Sequence, residues 1–145
     1  TEESMRMVEV EPGILRNRTQ SVLDGMNVFG FSIKEPPASI KSLTEYYDCS
    51  LDDIDDLILH QANKYMDDKI GKKLKVPADK IPFSLMQYGN TSSASIPITM
   101  VVGIGEKLSL EDADVVICGF GSGLSWGSAY IKLDHIICLT LIELD

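Results

Sequence analysis

Asp56-Leu57-Ile58-Leu59-His60-Gln61-Ala62-Asn63 runs into a stretch where Ala62, Tyr65, Met66, Ile70 and Leu74 recur at three- and four-residue spacing. Asp56 to His60 is a short apolar run, which suits a parallel strand buried on both faces. Gln61 to Leu74 then reads as a helix with one apolar face, and Lys64, Lys69, Lys72 and Lys73 lie mostly off that face. Val76-Pro77 stops it. A buried strand feeding directly into an amphipathic helix is the repeating unit of α/β domains, and such folds gather their chemistry at the strand's C-terminal end. His60 stands at that end.

The same alternation extends outward. Val28 to Ile33 reads as a strand closed by Pro36-Pro37, and Ala38 to Tyr47 as a helix with Ile40, Leu43 and Tyr47 on one side. Ile81 to Leu85 is a further short strand. A Gly- and Ser-rich turn follows at Gly89 to Ser95, then a helix from about Ser93 to Lys107 with Pro97 tolerated in its first turn. Asp114 to Phe120 and Ser128 to Leu133 are two strands, and the short link between them predicts an antiparallel pair. The expected fold is α/β: one layered domain with a mixed five-stranded sheet and helices packed on it. Residues 1–22 read as an irregular lead-in, 23–133 as the domain, and 134–145 as a tail. Ile136, Ile137, Leu139, Leu141 and Ile142 make that tail too apolar to hang free.

Composition narrows the function. The chain has 145 residues, long enough for a core without disulfides or metals. A net charge of −9 disfavours nucleic-acid binding, which rests on Lys and Arg releasing counterions. No apolar run reaches the ~18 residues a membrane helix needs. Two His and three Cys without C-x-x-C spacing predict no metal site and a reduced, cytoplasmic protein. The chain starts Thr1-Glu2-Glu3-Ser4, too polar for a secretory leader and without an initiator Met, as in a processed product or part of a longer chain.

Three loops carry the candidate chemistry. His60 ends one strand, Asn90 lies thirty residues on in a loop before a helix, and Gly121-Ser122-Gly123 forms a third loop. Each has a plain structural reading when taken singly. A lone His is commonly structural, Asn tolerates left-handed turns, and Gly-Ser-Gly suits a hairpin. Together they offer an imidazole, an amide and free backbone N–H groups, a set suited to stabilising an oxyanion.

His60-Gln61-Ala62-Asn63, then Gly89-Asn90-Thr91-Ser92-Ser93-Ala94-Ser95-Ile96-Pro97, then Gly119-Phe120-Gly121-Ser122-Gly123-Leu124-Ser125-Trp126-Gly127 resemble, in order and separation, the signatures of β-ketoacyl-ACP synthase III. Asp24-Gly25 followed by Val28-Phe29 resembles the opening of the same part of that family. The resemblance runs from Leu23 to Leu133 and covers the C-terminal half of such an enzyme, a half with the thiolase fold.

The resemblance implies a 3-oxoacyl-ACP synthase III type acyltransferase. It would condense an acyl-CoA-derived group with malonyl-ACP in fatty acid or related biosynthesis, and would hold no permanent cofactor. His60 and Asn90 would donate hydrogen bonds to the malonyl thioester oxygen. The Ser122 backbone N–H would help hold the oxyanion at the acyl thioester, Asn63 would orient water or a neighbour, and Phe120 would wall the site. Lys64, Lys69, Lys72 and Lys73 match the surface on which acyl carrier protein docks. The family's nucleophilic Cys belongs to the first half, and Cys49, Cys118 and Cys138 do not match it. The chain alone is therefore expected to be inactive and to need a missing N-terminal half, or a homodimer partner, over its exposed surface. The alternative is a non-catalytic module that binds acyl carrier protein or acyl-CoA, or acts as a scaffold.

Overall fold

The computed structural model describes residues 2–20, 24–134 and 136–142. Leu23, the expected start of the domain, lies outside them, as do His135 and residues 143–145 of the tail. In chain order the elements are β1 (Val8–Glu11), β2 (Ile14–Arg16), α1 (Gly25–Ser32), α2 (Glu35–Tyr46), β3 (Asp56–Leu59), α3 (Lys64–Leu74), α4 (Leu85–Tyr88), α5 (Ser95–Leu110), β4 (Ala113–Gly121) and β5 (Ser125–Leu133).

β3 pairs with β4 in parallel, from Asp56 opposite Val115 to Leu59 opposite Cys118. β4 and β5 form the expected antiparallel pair, from Ala113 opposite Leu133 to Gly121 opposite Ser125. The mixed sheet has the order β3-β4-β5. Its alternation sorts the core into two layers. Leu57, Leu59, Val116, Cys118 and Phe120 join Ile40 of α2 and Ile70 and Leu74 of α3 on one face. Ile58 and Val115 join Ile104 and Leu108 of α5 on the other. Helices on both faces explain why β3 is buried at every position instead of at every second one.

The chain is α/β with a mixed sheet, and five strands lie among the described residues, but these divide into three and two. β1 and β2 form a separate antiparallel hairpin. The lead-in is therefore not irregular throughout. Val8 and Val10 alternate with Glu residues, and the turn passes through Gly13 at φ 78°, a left-handed angle that glycine adopts without strain.

Two expected strands are helical or irregular. Val28 to Ser32 lies in α1, and Ile33 caps its C-terminus. Asp24 caps that helix, accepting from the Asn27 backbone N–H at 3.0 Å and from its side-chain amide at 2.7 Å. Phe29 stacks on Tyr65 of α3 and Phe31 meets Trp126 of β5 edge-on, so the helix is held from two sides. Pro36 and Pro37 sit in the first turn of α2 and open it. Ile81 to Leu85 forms no strand. Pro82 lacks a ladder N–H, and the Ser84 N–H is taken by the Gln61 side chain at 3.0 Å.

The tail is half engaged. Ile136 and Cys138 pack on the α5 layer, whereas Ile137, Leu139 and Ile142 are exposed.

Candidate active site

Because β3 and β4 are parallel, their C-terminal ends share one edge of the sheet, and the loops leaving them meet. A cleft of about 1160 Å³ opens there, and His60, Asn63, Asn90, Phe120 and Ser122 all line it. The three loops singled out from sequence therefore converge on one space.

His60 continues the ladder past β3, its backbone N–H donating to the Cys118 carbonyl at 2.9 Å. The imidazole is half-buried. Its Nδ1 lies 2.7 Å from Ser95 Oγ, and its ring meets Phe120 edge-on at 5.4 Å. Burial lowers the His60 pKa, and a backbone hydrogen bond at Ser92 opposes that shift without reversing it. The imidazole is therefore neutral at pH 7.

Asn90 is held as a donor. Its Oδ1 accepts from the Ser92 N–H at 2.9 Å, which leaves the NH₂ end of the carboxamide for the cleft. Gly89 at φ 67° and Ser92 at φ 56° set the bend that allows this. Asn63 has a role that its sequence position did not reveal. It caps α3, its Oδ1 accepting from the Met66 N–H at 2.9 Å, and so joins the start of the helix to the cleft rim.

The Gly121-Ser122-Gly123 loop joins β4 to β5. Ser122 is exposed, and its carbonyl accepts from Ser125 Oγ at 2.7 Å. Gly123 has φ 139°, a backbone angle that side chains rarely allow, and an added Cβ would stand 2.9 Å from the Ser125 nitrogen. Glycine is therefore required for this loop to fold against the cleft.

None of the three cysteines lines the cleft. Cys118 is fully buried inside β4, and burial pushes its thiol pKa up to about 11. A thiol so disposed is a small apolar core group rather than a nucleophile. Among the described residues there is no group of three or more His, Cys, Asp or Glu able to hold a metal, and no helix is long and apolar enough to cross a membrane.

The four lysines occupy the exposed side of α3. Lys64 pairs with Asp68 at 3.1 Å, Lys69 lies over the Tyr65 ring, and Lys73 donates to the Ile33 carbonyl at 2.9 Å. Lys72 is the most available for a partner.

Sequence reasoning passed over a buried set beneath the site: Gln61, Ser84, Ser95 and Thr99, each at most 3% exposed. Ser95 lies within the quoted Gly89-to-Pro97 block, so the signal was present, but nothing in sequence indicates that its hydroxyl turns towards an imidazole 35 residues away.

The family model of the 3-oxoacyl-[acyl-carrier-protein] synthase III C-terminal region matches residues 45–133. The β-ketoacyl-[acyl-carrier-protein] synthase III of Streptococcus agalactiae is 42% identical over 113 residues, which are 77% of this chain and 35% of that protein. The enzyme of the same name from Prochlorococcus marinus is 40% identical over 110 residues, 76% of this chain and 33% of that protein. Among solved structures, the 3-oxoacyl-(acyl-carrier protein) synthase of Burkholderia xenovorans superposes with a TM-score of 0.79 at 32% identity, covering 82% of this chain and 34% of that one. The synthase III of Thermus thermophilus gives 0.76 at 25% identity, covering 92% and 42%. The chain thus spans about a third of the length of the curated relatives it matches. With the three loops gathered on one cleft and the family model covering all three strands of the core sheet, the chain belongs to the 3-oxoacyl-[acyl-carrier-protein] synthase III family, of which it carries the C-terminal part.

Proposed function

We propose that this chain supplies the decarboxylating half of a condensing site. The enzyme would join an acyl-CoA-derived group to malonyl-ACP in the cytoplasm, in fatty acid or related biosynthesis. One observation carries the reading: a neutral imidazole, a carboxamide with its NH₂ end free and a glycine-bounded backbone loop all face one cleft at the strand ends. The bond between the malonyl α-carbon and its carboxylate breaks, CO₂ leaves, and the electron pair passes into an enolate. His60 and Asn90 donate to the thioester oxygen as its charge grows, each worth about 3 kcal/mol on the usual scale for such donors. The enolate carbon then attacks an acyl thioester on a cysteine supplied from outside this chain. The Ser122 N–H helps hold the resulting oxyanion, and the cysteine thiolate leaves. Phe120 walls the site and Asn63 steadies its rim. No permanent cofactor is needed for these steps, since CoA and carrier-protein thioesters are substrates.

The missing part would be an N-terminal half, and the complete protein would pair as a dimer. The purified chain is expected to show no condensation, and activity is expected to appear when a first half bearing the cysteine is added. Turnover by the chain alone would overturn the missing-nucleophile reading. Carrier-protein binding with no turnover in the completed assembly would favour the non-catalytic module instead.

The α3 lysines support docking of the acidic carrier protein. In a completed enzyme, Lys72→Glu is expected to weaken carrier-protein binding about three- to tenfold at low ionic strength, and the difference should shrink as salt rises. An affinity indifferent to salt, measured by titration calorimetry, would remove α3 from the docking surface.

A further inference from the structure

We propose that Ser95 is a positioning residue that fixes the His60 tautomer, keeping the imidazole proton on Nε2 and so aimed at the reacting thioester. The proposal deepens the function given above and rests on it for its catalytic meaning, though not for its geometry.

Ser95 is 1% exposed, so its hydroxyl proton must find an acceptor in the protein. Ser95 Oγ lies 2.7 Å from His60 Nδ1. Its other neighbour is the Gln61 backbone N–H at 3.4 Å, which can only donate. Among the described residues, the acceptor in reach of the hydroxyl proton is therefore His60 Nδ1. A ring nitrogen that accepts carries no proton in the neutral imidazole, so the proton resides on Nε2.

The surrounding groups hold Ser95 in this role. Thr99 Oγ1 donates to the Ser95 carbonyl at 2.7 Å, so the Ser84 hydroxyl, 2.6 Å from Thr99 Oγ1, is the donor to Thr99. Ser84 donates its backbone N–H to Gln61 Oε1 at 3.0 Å, and Gln61 Nε2 donates to the Leu59 carbonyl at 3.0 Å. The start of α5, the 81–84 segment and the end of β3 are thereby tied together with every hydroxyl proton placed. A fully satisfied buried network of this kind resists rotation of its members. The backbone acceptor at Ser92 is the rival influence on the ring. Were it dominant, it would draw a proton to whichever nitrogen faced it, whatever Ser95 did.

The test is ¹⁵N NMR of the histidine ring at neutral pH in the labelled chain carrying His135→Gln, which leaves His60 as the one histidine. The expected spectrum shows a single Nε2–H tautomer. In Ser95→Ala, both tautomers are expected. In Ser84→Ala, which removes a hydroxyl of the same network that does not touch the ring, the Nε2–H pattern should persist. Should the alanine variant fail to fold, Ser95→Cys keeps a weaker S–H donor and should show partial loss of the pattern. An Nδ1–H ring in the starting chain, or an unchanged spectrum in the folded Ser95 variant, would overturn the proposal. In a completed enzyme, Ser95→Ala should slow malonyl decarboxylation about tenfold or more, the direction expected when an imidazole loses the partner that sets its tautomer, with acylation of the cysteine unchanged. Failure of that enzyme to decarboxylate at all would count against the proposed function, while the NMR result would still decide the tautomer.

Discussion

Alanine at His60 is expected to slow malonyl decarboxylation about a hundred- to a thousandfold in a completed enzyme, a loss of about 2.7–4 kcal/mol of transition-state stabilisation. Acylation of the cysteine should change far less. The asymmetry follows from where charge develops. In the proposed reaction, decarboxylation places a negative charge on the thioester oxygen that His60 and Asn90 would face, whereas in acylation the charge forms at the carbonyl beside the cysteine, where the backbone of the 121–123 loop would be the donor. Asn90→Ala should show the same asymmetry, because its Oδ1 is engaged by the Ser92 N–H, which leaves only its NH₂ end to serve a substrate in the proposed reaction. The double variant should lose less than the product of the two single losses, since both donors serve one oxygen. Separate assays of CO₂ release and of thioester formation decide the matter. Equal losses in both steps would remove His60 and Asn90 from the enolate role.

The second large effect concerns stability. Asp67, in the first turns of α3, is 3% exposed, and neither carboxylate oxygen has a hydrogen-bond partner among the described residues. Lys64, three residues before it, places its ammonium 5.1 Å from the centre of the Phe83 ring, and Gly71, four residues after it, packs against Ile81. Asp67 lies on that same helical stripe, beneath the 81–83 segment. Burial pushes its pKa up to about 8, with Asp68 adding to the shift and Lys64 opposing it. An acid at a helix N-terminus would ordinarily be favoured as an anion, and here desolvation outweighs that attraction.

The sign of the pH effect follows from linkage. The carboxyl is protonated in the fold and ionised in the unfolded chain, so the unfolded state gains as pH rises. The stability is fully present below the unfolded value near 3.8 and is lost progressively up to about 8. By pH 7 the loss is on the order of 4 kcal/mol. Asp67→Leu is therefore expected to stabilise the chain by several kcal/mol at pH 7 and to flatten its dependence on pH, with a smaller gain at pH 5. Asp67→Asn should flatten the dependence too, but with less net gain, because it leaves a buried amide unpartnered. Urea midpoints between pH 5 and 9 provide the measurement. A variant that keeps the original slope would show that Asp67 is hydrated and ionised in solution.

Asp67 also illustrates the limit of pattern reading. Its place in the helix was legible, and so was the apolar stripe of Tyr65, Met66, Ile70 and Leu74. Its burial was not, because the 81–83 segment folds over the side of α3 where a charged residue is expected to meet water. The same limit explains Val28 to Ile33. Its aromatic and β-branched residues suit a strand as well as a helix, and the choice was made by the Asp24 cap together with contacts to Tyr65 and to Trp126 almost a hundred residues on. Ile81 to Leu85 failed as a strand because Pro82 and the Gln61–Ser84 bond left it no edge to pair with.

The amino-acid sequence by itself determined the α/β class, the β3–α3 unit, the antiparallel β4–β5 pair and the three loops that meet at the site. These features depend on local apolar period, on Gly, Pro and Asn at turns, and on short links, all of which are written within a few residues of one another. Only the tertiary structure decided that the five described strands split into three and two, that Ser95 faces the His60 ring and that Asp67 is sealed from water. Each of those outcomes depends on which distant segment covers a given side chain, and burial and hydrogen-bond partners are set by that covering rather than by neighbours in the chain.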